Sequence, residues 1–449
     1  MNVTAPLRRL ARRHPHAPAL IRADDQVLSY AALDAAIDRL AVRLAALELA
    51  ADVPVGLAIV GPDESHGLIL ALALARLGIP SADPALPGTR QLAADPAWFA
   101  ATDAAPEVPL APGAERLLRV FASSGTTGAP KPVPISHALM RRRVAANIRA
   151  PGGPDPCARI VAVNLGITWG FTAVLRTLWQ GGTLVLTNPR EAASRILRHR
   201  VRTIVVAPNG LAAMLAALPA GTVPLPGLET IEIGGSALPR PLRQAAATRL
   251  CPCLISYLGA SEAGGIASAP LAALEGCEGA VGFLHAGVTV EAVDAADRPL
   301  PPGAEGRLRL RGPLLAAAGP DGWFYPGDLG TVWPDGMLCL AGRAEDVMNC
   351  GGVKLSARAI EEALLGLPGV TEAAAFAVPD ARGLDQPWAA IVAQAPVAAA
   401  DIGRACAAAQ AGAAPRIVLR MRALPRTATG KVRKDLLIAF ARAQPATPA

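Results

Sequence analysis

The sequence predicts an α/β protein: a large layered N-terminal domain with a small β-rich subdomain, followed by a small α+β C-terminal domain. Three observations carry this. Apolar helical stretches alternate with short apolar strands from residue 30 to residue 233. Between residues 280 and 342 the pattern changes to short strands separated by Gly, Pro and Asp turns. After Gly342 a charged turn leads into a compact segment of about 100 residues, the size of a separate domain.

The elements follow in order. Residues 30–49 place Leu33, Ile37, Leu40, Leu44 and Leu47 at helical spacing, with Ser29 as N-cap. Residues 55–60 form a continuous apolar run of the kind buried in parallel sheets, and residues 67–77 read as the next helix. Further strands are expected at 116–122, 160–164, 183–186, 203–206 and 230–233, then at 288–293, 306–310 and 337–340 in the β-rich part. The charged turn Arg343-Ala344-Glu345-Asp346 divides a domain 1–342 from a domain 343–449. Residues 378–384 and the alanine-rich stretch 395–414 read as looser connections.

The 449 residues are 52% hydrophobic and 18% charged, which excludes a disordered or fibrous chain. The longest apolar run, residues 68–75, stops at Arg76, well short of the ~20 residues a bilayer span needs. Arg8, Arg9, Arg12 and Arg13 precede no apolar stretch of signal-peptide length, so a cytoplasmic protein is expected. The seven cysteines contain no CxxC pair, Cys251-Pro-Cys253 being the closest couple. Reduced thiols are expected, rather than a disulfide or metal framework.

The location of the net charge of +7 says more than its size. Eight basic residues between 416 and 442, opposed only by Asp435, account for the whole excess. Such a segment suits a polyanion: nucleic acid, ATP or coenzyme A. The interleaved aromatics of a nucleic-acid surface are missing from it, so no nucleic-acid partner is expected. Of the 43 basic residues only four are lysines, Lys131, Lys354, Lys431 and Lys434, which draws attention to where lysine persists. Lysine is a point charge suited to one phosphate or carboxylate oxygen.

Lys131 closes the run Ser123-Ser124-Gly125-Thr126-Thr127-Gly128-Ala129-Pro130-Lys131, which follows an expected strand. Hydroxyls and glycine N–H groups in series form an anion cradle, because glycine lets the backbone approach phosphates. The spacing is not that of GxxxxGK[ST]: Pro130 stands five residues after Gly125, so no glycine stands directly before Lys131.

This run closely resembles the phosphate loop of the adenylate-forming superfamily, which includes acyl-CoA synthetases, aryl-CoA ligases, nonribosomal adenylation domains and luciferases. Five further elements resemble the family's in the family's order. They are Gly234-Gly235-Ser236-Ala237, Leu258-Gly259-Ala260-Ser261-Glu262, Tyr325-Pro326-Gly327-Asp328, Gly342-Arg343-Ala344-Glu345-Asp346, and Pro425-Arg426-Thr427-Ala428-Thr429-Gly430-Lys431. The resemblance implies ATP-dependent activation of a carboxylic acid as an acyl-adenylate with pyrophosphate release. Transfer to a thiol follows, with coenzyme A or a carrier-protein phosphopantetheine as acceptor.

By the same resemblance, Ser124, Thr126, Thr127 and Lys131 hold the β- and γ-phosphates, with Ser123, Gly125 and Gly128 completing the loop. Thr127 and Glu262 orient Mg²⁺. Gly235, Ser236, Gly259 and Ser261 flank the nucleotide, Asp328 takes the ribose hydroxyls, and Arg343 adds a cation near the α-phosphate. Lys431 bridges the substrate carboxylate and the α-phosphate. The C-terminal domain is implied to be mobile, pivoting at Glu345, where aspartate is usual, and Gly351-Gly352 to line a tunnel for the thiol arm. Trp169, Gly170, Phe171 and Gly234 are the implied acyl pocket. No acidic residue lies between Cys157 and Arg190, so an aryl or small aliphatic acid is expected rather than an α-amino acid. Leu258 stands where an aromatic is usual, with Tyr257 beside it, and Pro326, Asn349 and Ala359 also depart from the pattern. Leu258 and Ala359 motivate a third reading, a catalytically weakened nucleotide-binding homologue.

Overall fold

The computed structural model describes residues 1–50, 52–57, 64–92, 97–100, 106–123, 131–148, 157–343, 347–350, 353–380, 385–409, 413–427 and 431–443. The expected N-cap is present: Ser29 Oγ accepts from Ala32 N at 3.2 Å and starts the helix Tyr30–Ala45. That helix buries Leu33, Ile37, Leu40 and Leu44, one face at the helical period.

Two sheets build the N-terminal part. The smaller runs in the order Arg90–Gln91, Val55–Gly56, Ser81–Ala82, Leu117–Ser123, Lys131–Ser136. Its first four strands are mutually parallel, and the last two form an antiparallel hairpin with Ser123 opposite Lys131. The run expected to hold phosphates lies between these two strands, and its residues 124–130 are outside the described residues.

The larger sheet has thirteen strands. At its centre Thr183–Val185, Ala158–Ala162, Val201–Val206, Thr230–Gly234 and Leu254–Ala260 lie side by side and parallel. Between them run the helices Thr168–Trp179, Ala192–Arg198, Pro208–Ala217 and Arg240–Arg249. From Ala158–Ala162 the chain crosses to one neighbour, Thr183–Val185, and returns to the other, Val201–Val206, so the winding reverses at that strand. The β-rich region from 280 to 343 is not separately hydrogen-bonded: its strands continue the same sheet antiparallel beyond Gly264–Pro270.

The first helix, Ala5–Arg13, has no counterpart in the sequence reading. Its Arg8 is buried and donates to both Asp38 oxygens at 2.7 and 3.0 Å, while Arg76 donates to the same carboxylate at 2.7 Å. This network pins the helix to Tyr30–Ala45 and Glu64–Leu77.

In the C-terminal part, Val370–Pro379 pairs antiparallel with Asp385–Ala393, and Ile417–Arg420 adds a parallel third strand. Val347–Cys350 and Val353–Ser356 form a separate hairpin. The alanine-rich stretch is not a loose connection but holds the helix Ala399–Ala409, which buries Ile402 and Cys406. Ile402 and Cys406, the two apolar side chains among its alanines, give too faint a period to read. Likewise residues 378 and 379 end a ten-residue strand rather than open a connection. Among the described residues no helix is long and apolar enough to cross a membrane.

Candidate active site

In open parallel sheets, ligands bind beyond the carboxyl ends of the strands, near the point where the winding reverses. Just past the ends of Ala158–Ala162, Thr230–Gly234 and Leu254–Ala260 lie Trp169, Gly170, Gly235, Ser236, Ser261 and Glu262, with Gly234 and Gly259 in the last turns of their strands. The topology thus gathers two of the expected motifs and the implied acyl-pocket residues Trp169 and Gly170 on one rim. Gly235, Ser236 and Gly259 are exposed there.

The wall of this rim is aromatic. Trp169, on the first turn of Thr168–Trp179, stacks on Tyr257 with ring centroids 5.7 Å apart and planes 6° apart. A Cβ on Gly234 would meet Tyr257 O at 2.5 Å and the Trp169 ring at 3.2 Å, so only glycine lets these three approach. Gly170 abuts the Asn164 carbonyl in the same way. The Tyr257 hydroxyl lies 3.4 Å from Asn147 Oδ1, and burial pushes its pKa up to about 12.

Because strand side chains alternate, Leu258 faces the other side and packs against the apolar cluster that contains Ile266, Val290 and Leu308. Tyr257 is engaged with Trp169. Phe171 does not line the rim. It is 1% exposed and meets Phe121 edge-on at 5.9 Å, joining the helix to the strand that leads into the phosphate loop. Two positions separate it from Trp169, about 200° around a helix, which turns it into the core.

Residues 261–263 form a tight turn between Leu254–Ala260 and Gly264–Pro270, with Ala263 N donating to Ala260 O at 3.2 Å. The turn is gripped from outside. Arg143, in the helix His137–Ala146, donates to Ser261 O and Glu262 O, both at 2.9 Å. Burial lowers its pKa to about 10, the guanidinium remaining charged. The Glu262 carboxylate is half-buried and accepts no hydrogen bond among the described residues. A half-buried carboxylate on a fixed backbone fits a hard cation.

Sequence reasoning missed Arg143, which stands in the run Arg141-Arg142-Arg143. Only the helical phase set by Leu139, Met140 and Val144 distinguishes it.

Asp328 opens the strand Asp328–Val332 opposite Arg343, the last residue of Met337–Arg343. Arg343 Nη1 stands 3.7 Å from Asp328 Oδ1, and Nη2 donates to Pro326 O at 3.0 Å. This is a carboxylate acceptor held beside a cation, as a ribose diol next to a phosphate requires.

Lys431 stands at the base of a second hairpin. Thr427 N donates to Lys431 O at 2.8 Å, Lys431 N to Thr427 Oγ1 at 3.1 Å, and Arg433 N to Pro425 O at 2.8 Å. Lys434 has a structural role, its Nζ lying 2.9 Å from Glu361 Oε1. Lys131 begins the return strand of the phosphate hairpin and is exposed. Ser124, Gly125, Thr126, Thr127, Gly128, Glu345, Gly351 and Gly352 lie outside the described residues, as does the Ser123 side chain.

The family model for AMP-binding enzymes matches residues 80–318, and that for the AMP-binding enzyme C-terminal domain matches residues 359–431. A probable nonribosomal peptide synthetase of Salinispora arenicola is 30% identical over 94% of this chain, which spans 6% of that protein's length. A feruloyl-CoA synthase of an Amycolatopsis species is 27% identical over 84% of this chain and 85% of its own. The fold is shared with ATP-bound MatB from Rhodopseudomonas palustris, at a TM-score of 0.85, 22% identity and 99% coverage of both chains. The chain belongs to the family of AMP-binding, adenylate-forming enzymes.

Proposed function

We propose that this protein activates a carboxylic acid with ATP and then passes the acyl group to the thiol of coenzyme A. In the first step a carboxylate oxygen attacks the α-phosphorus, the bond to the β-phosphate oxygen breaks, and pyrophosphate leaves. In the second the thiol sulfur attacks the acyl carbonyl, its proton is lost, and AMP leaves. The observation that carries this reading is the gathering of the Gly234, Gly259 and Glu262 segments on one rim, beyond the carboxyl ends of neighbouring parallel strands.

The chemistry is positioning and charge neutralisation. Asp328 accepts from the ribose hydroxyls and Arg343 faces the α-phosphate. Lys431 stabilises the charge that builds on the α-phosphate during attack. The loop from Ser123 to Lys131 cradles the leaving pyrophosphate. Mg²⁺, when bound, would supply positive charge that offsets the phosphate charge, and Glu262 with Thr127 would hold it. The division at 342/343 lets Glu345 act as the pivot that exchanges Lys431 for the Gly351-Gly352 turn between steps.

The Trp169–Tyr257 stack and the absence of acidic residues between 157 and 190 favour a flat aryl or small aliphatic acid, and the similarity to a feruloyl-CoA synthase supports the aryl choice. The similarity to a nonribosomal peptide synthetase favours a second reading, loading of a carrier-protein phosphopantetheine. We place the enzyme in the cytoplasm, where its seven free cysteines stay reduced.

The test is a panel of carboxylic acids scored by pyrophosphate release and AMP formation, repeated with coenzyme A and with carrier protein. Acid-dependent release of AMP and pyrophosphate supports the reading, and the acceptor that yields thioester decides between the two thiols. ADP and free phosphate would contradict it. ATP binding without turnover of any acid would instead mark a nucleotide-binding homologue.

A further inference from the structure

Arg143 is 1% exposed, and among the described residues every hydrogen bond it donates goes to a main-chain carbonyl. Nη1 reaches Ser261 O at 2.9 Å and Nη2 reaches Glu262 O at 2.9 Å. Nε and Nη2 also reach Leu314 O, at 3.0 and 2.8 Å. Ala316 N donates to the same Glu262 carbonyl at 2.7 Å, so the 314–316 segment closes the arrangement from the far side. Gly264, at φ +74°, lies against the arginine stem, where a Cβ would meet Nε at 3.1 Å and Cδ at 3.4 Å. The guanidinium therefore has a fitted slot, and its planar fork is the one side chain able to serve three carbonyls at fixed angles.

Arg143 also belongs to the helix His137–Ala146, which begins directly after the strand Lys131–Ser136 that returns from the phosphate loop. One side chain thus joins the element leaving the phosphate loop to the turn that carries Glu262.

We propose that Arg143 is a positioning residue, which fixes the turn that carries Glu262 so that its carboxylate can engage Mg²⁺·ATP. The inference rests on the functional reading above and adds a residue that acts through Glu262 without touching the substrate. Groups that orient a metal ligand typically contribute 10–100-fold to metal affinity or activity.

The experiment titrates Mg²⁺ against the ATP-induced rise in melting temperature, which needs no knowledge of the acid. Arg143→Lys keeps a charge but loses the fork. We expect it to fold, to bind ATP without Mg²⁺ as the wild type does, and to need roughly 10–100-fold more Mg²⁺ for the full shift. Glu262→Gln should show a similar loss, and the double variant should lose no more than Glu262→Gln alone, because both act on one contact. Wild-type Mg²⁺ dependence in Arg143→Lys, or losses that add, would overturn the proposal while leaving the functional reading intact.

A wild-type protein with no Mg²⁺-dependent ATP shift would overturn the functional reading, and the coupling with it. If Arg143→Lys does not fold, Gly264→Ala presses the same slot from below and should weaken the Mg²⁺ dependence. An unchanged dependence in that variant would overturn the proposal.

Discussion

The Glu262 turn is held by a side chain 119 positions earlier in the chain, whereas the Lys431 hairpin is closed by bonds between residues 425 and 433. Arg143 is buried and ties together three segments distant in sequence. Lys431 is half-buried, and its hairpin leads straight into the helix Lys434–Ala443, which anchors through Lys434 to the neighbouring helix Ala357–Leu365. Non-local bonding fixes the Glu262 turn to the helix His137–Ala146 and to the 314–316 segment. Local bonding closes the lysine segment within its own small domain, as the proposed pivot at Glu345 requires. The proposed two-step mechanism calls for this division: in it the phosphates stay in place while the group facing them changes.

The sharpest way to break the comparison is to remove the travelling charge. We expect Lys431→Ala to lower adenylate formation by 10²–10³-fold while largely sparing thioester formation from supplied acyl-adenylate, each measured separately. Equal loss in both steps would place Lys431 on the fixed side.

On that fixed side, Trp169→Ala removes half of a stacked pair over Gly234. The KM for the preferred acid should rise about tenfold, larger acids should be admitted, and the KM for ATP should hold. An unchanged acid preference would remove Trp169 from the pocket.

A smaller effect concerns the support of the Arg143 helix. His137 is buried, its Nδ1 accepts from Val3 N at 3.2 Å, and burial pushes its pKa down to about 4. The unfolded chain, near 6.5, binds the proton more readily. Stability from this group is therefore present above about pH 6.5 and lost as the pH falls towards 4. Melting curves across that window should show the decline, and His137→Asn, which keeps an acceptor without titrating, should flatten it. The smallest change is expected from Lys434→Ala. Both partners of its ion pair are about a quarter exposed, so the loss should stay below about 1 kcal/mol with both half-reactions intact.

Much of this was legible in the residues. The helix 30–45, the strands of the parallel core and the motif order all follow from periodicity and from glycines at fixed places. What escaped depends on distance in sequence. Nothing near Arg143 announces that Ser261, Glu262 and Leu314 converge on it, and Phe171 differs from Trp169 only in which side of one helix faces Phe121. The change of texture at residue 280 suggested a subdomain, yet backbone pairing carries the sheet across it. Local pattern reads elements well and their mutual contacts poorly.

The central claim, one fixed half and one that turns, is tested most directly at Glu345. Proline fixes φ near −65° and removes a backbone donor, so Glu345→Pro should hold the small domain in one orientation. The measurement is the rate of each half-reaction taken alone: ATP–pyrophosphate exchange with acid, and thioester formation from supplied acyl-adenylate. We expect one rate to survive and the other to collapse, with the melting temperature little changed. A folded variant running both steps at wild-type rates would contradict the claim and make the turn after Gly342 a static linker.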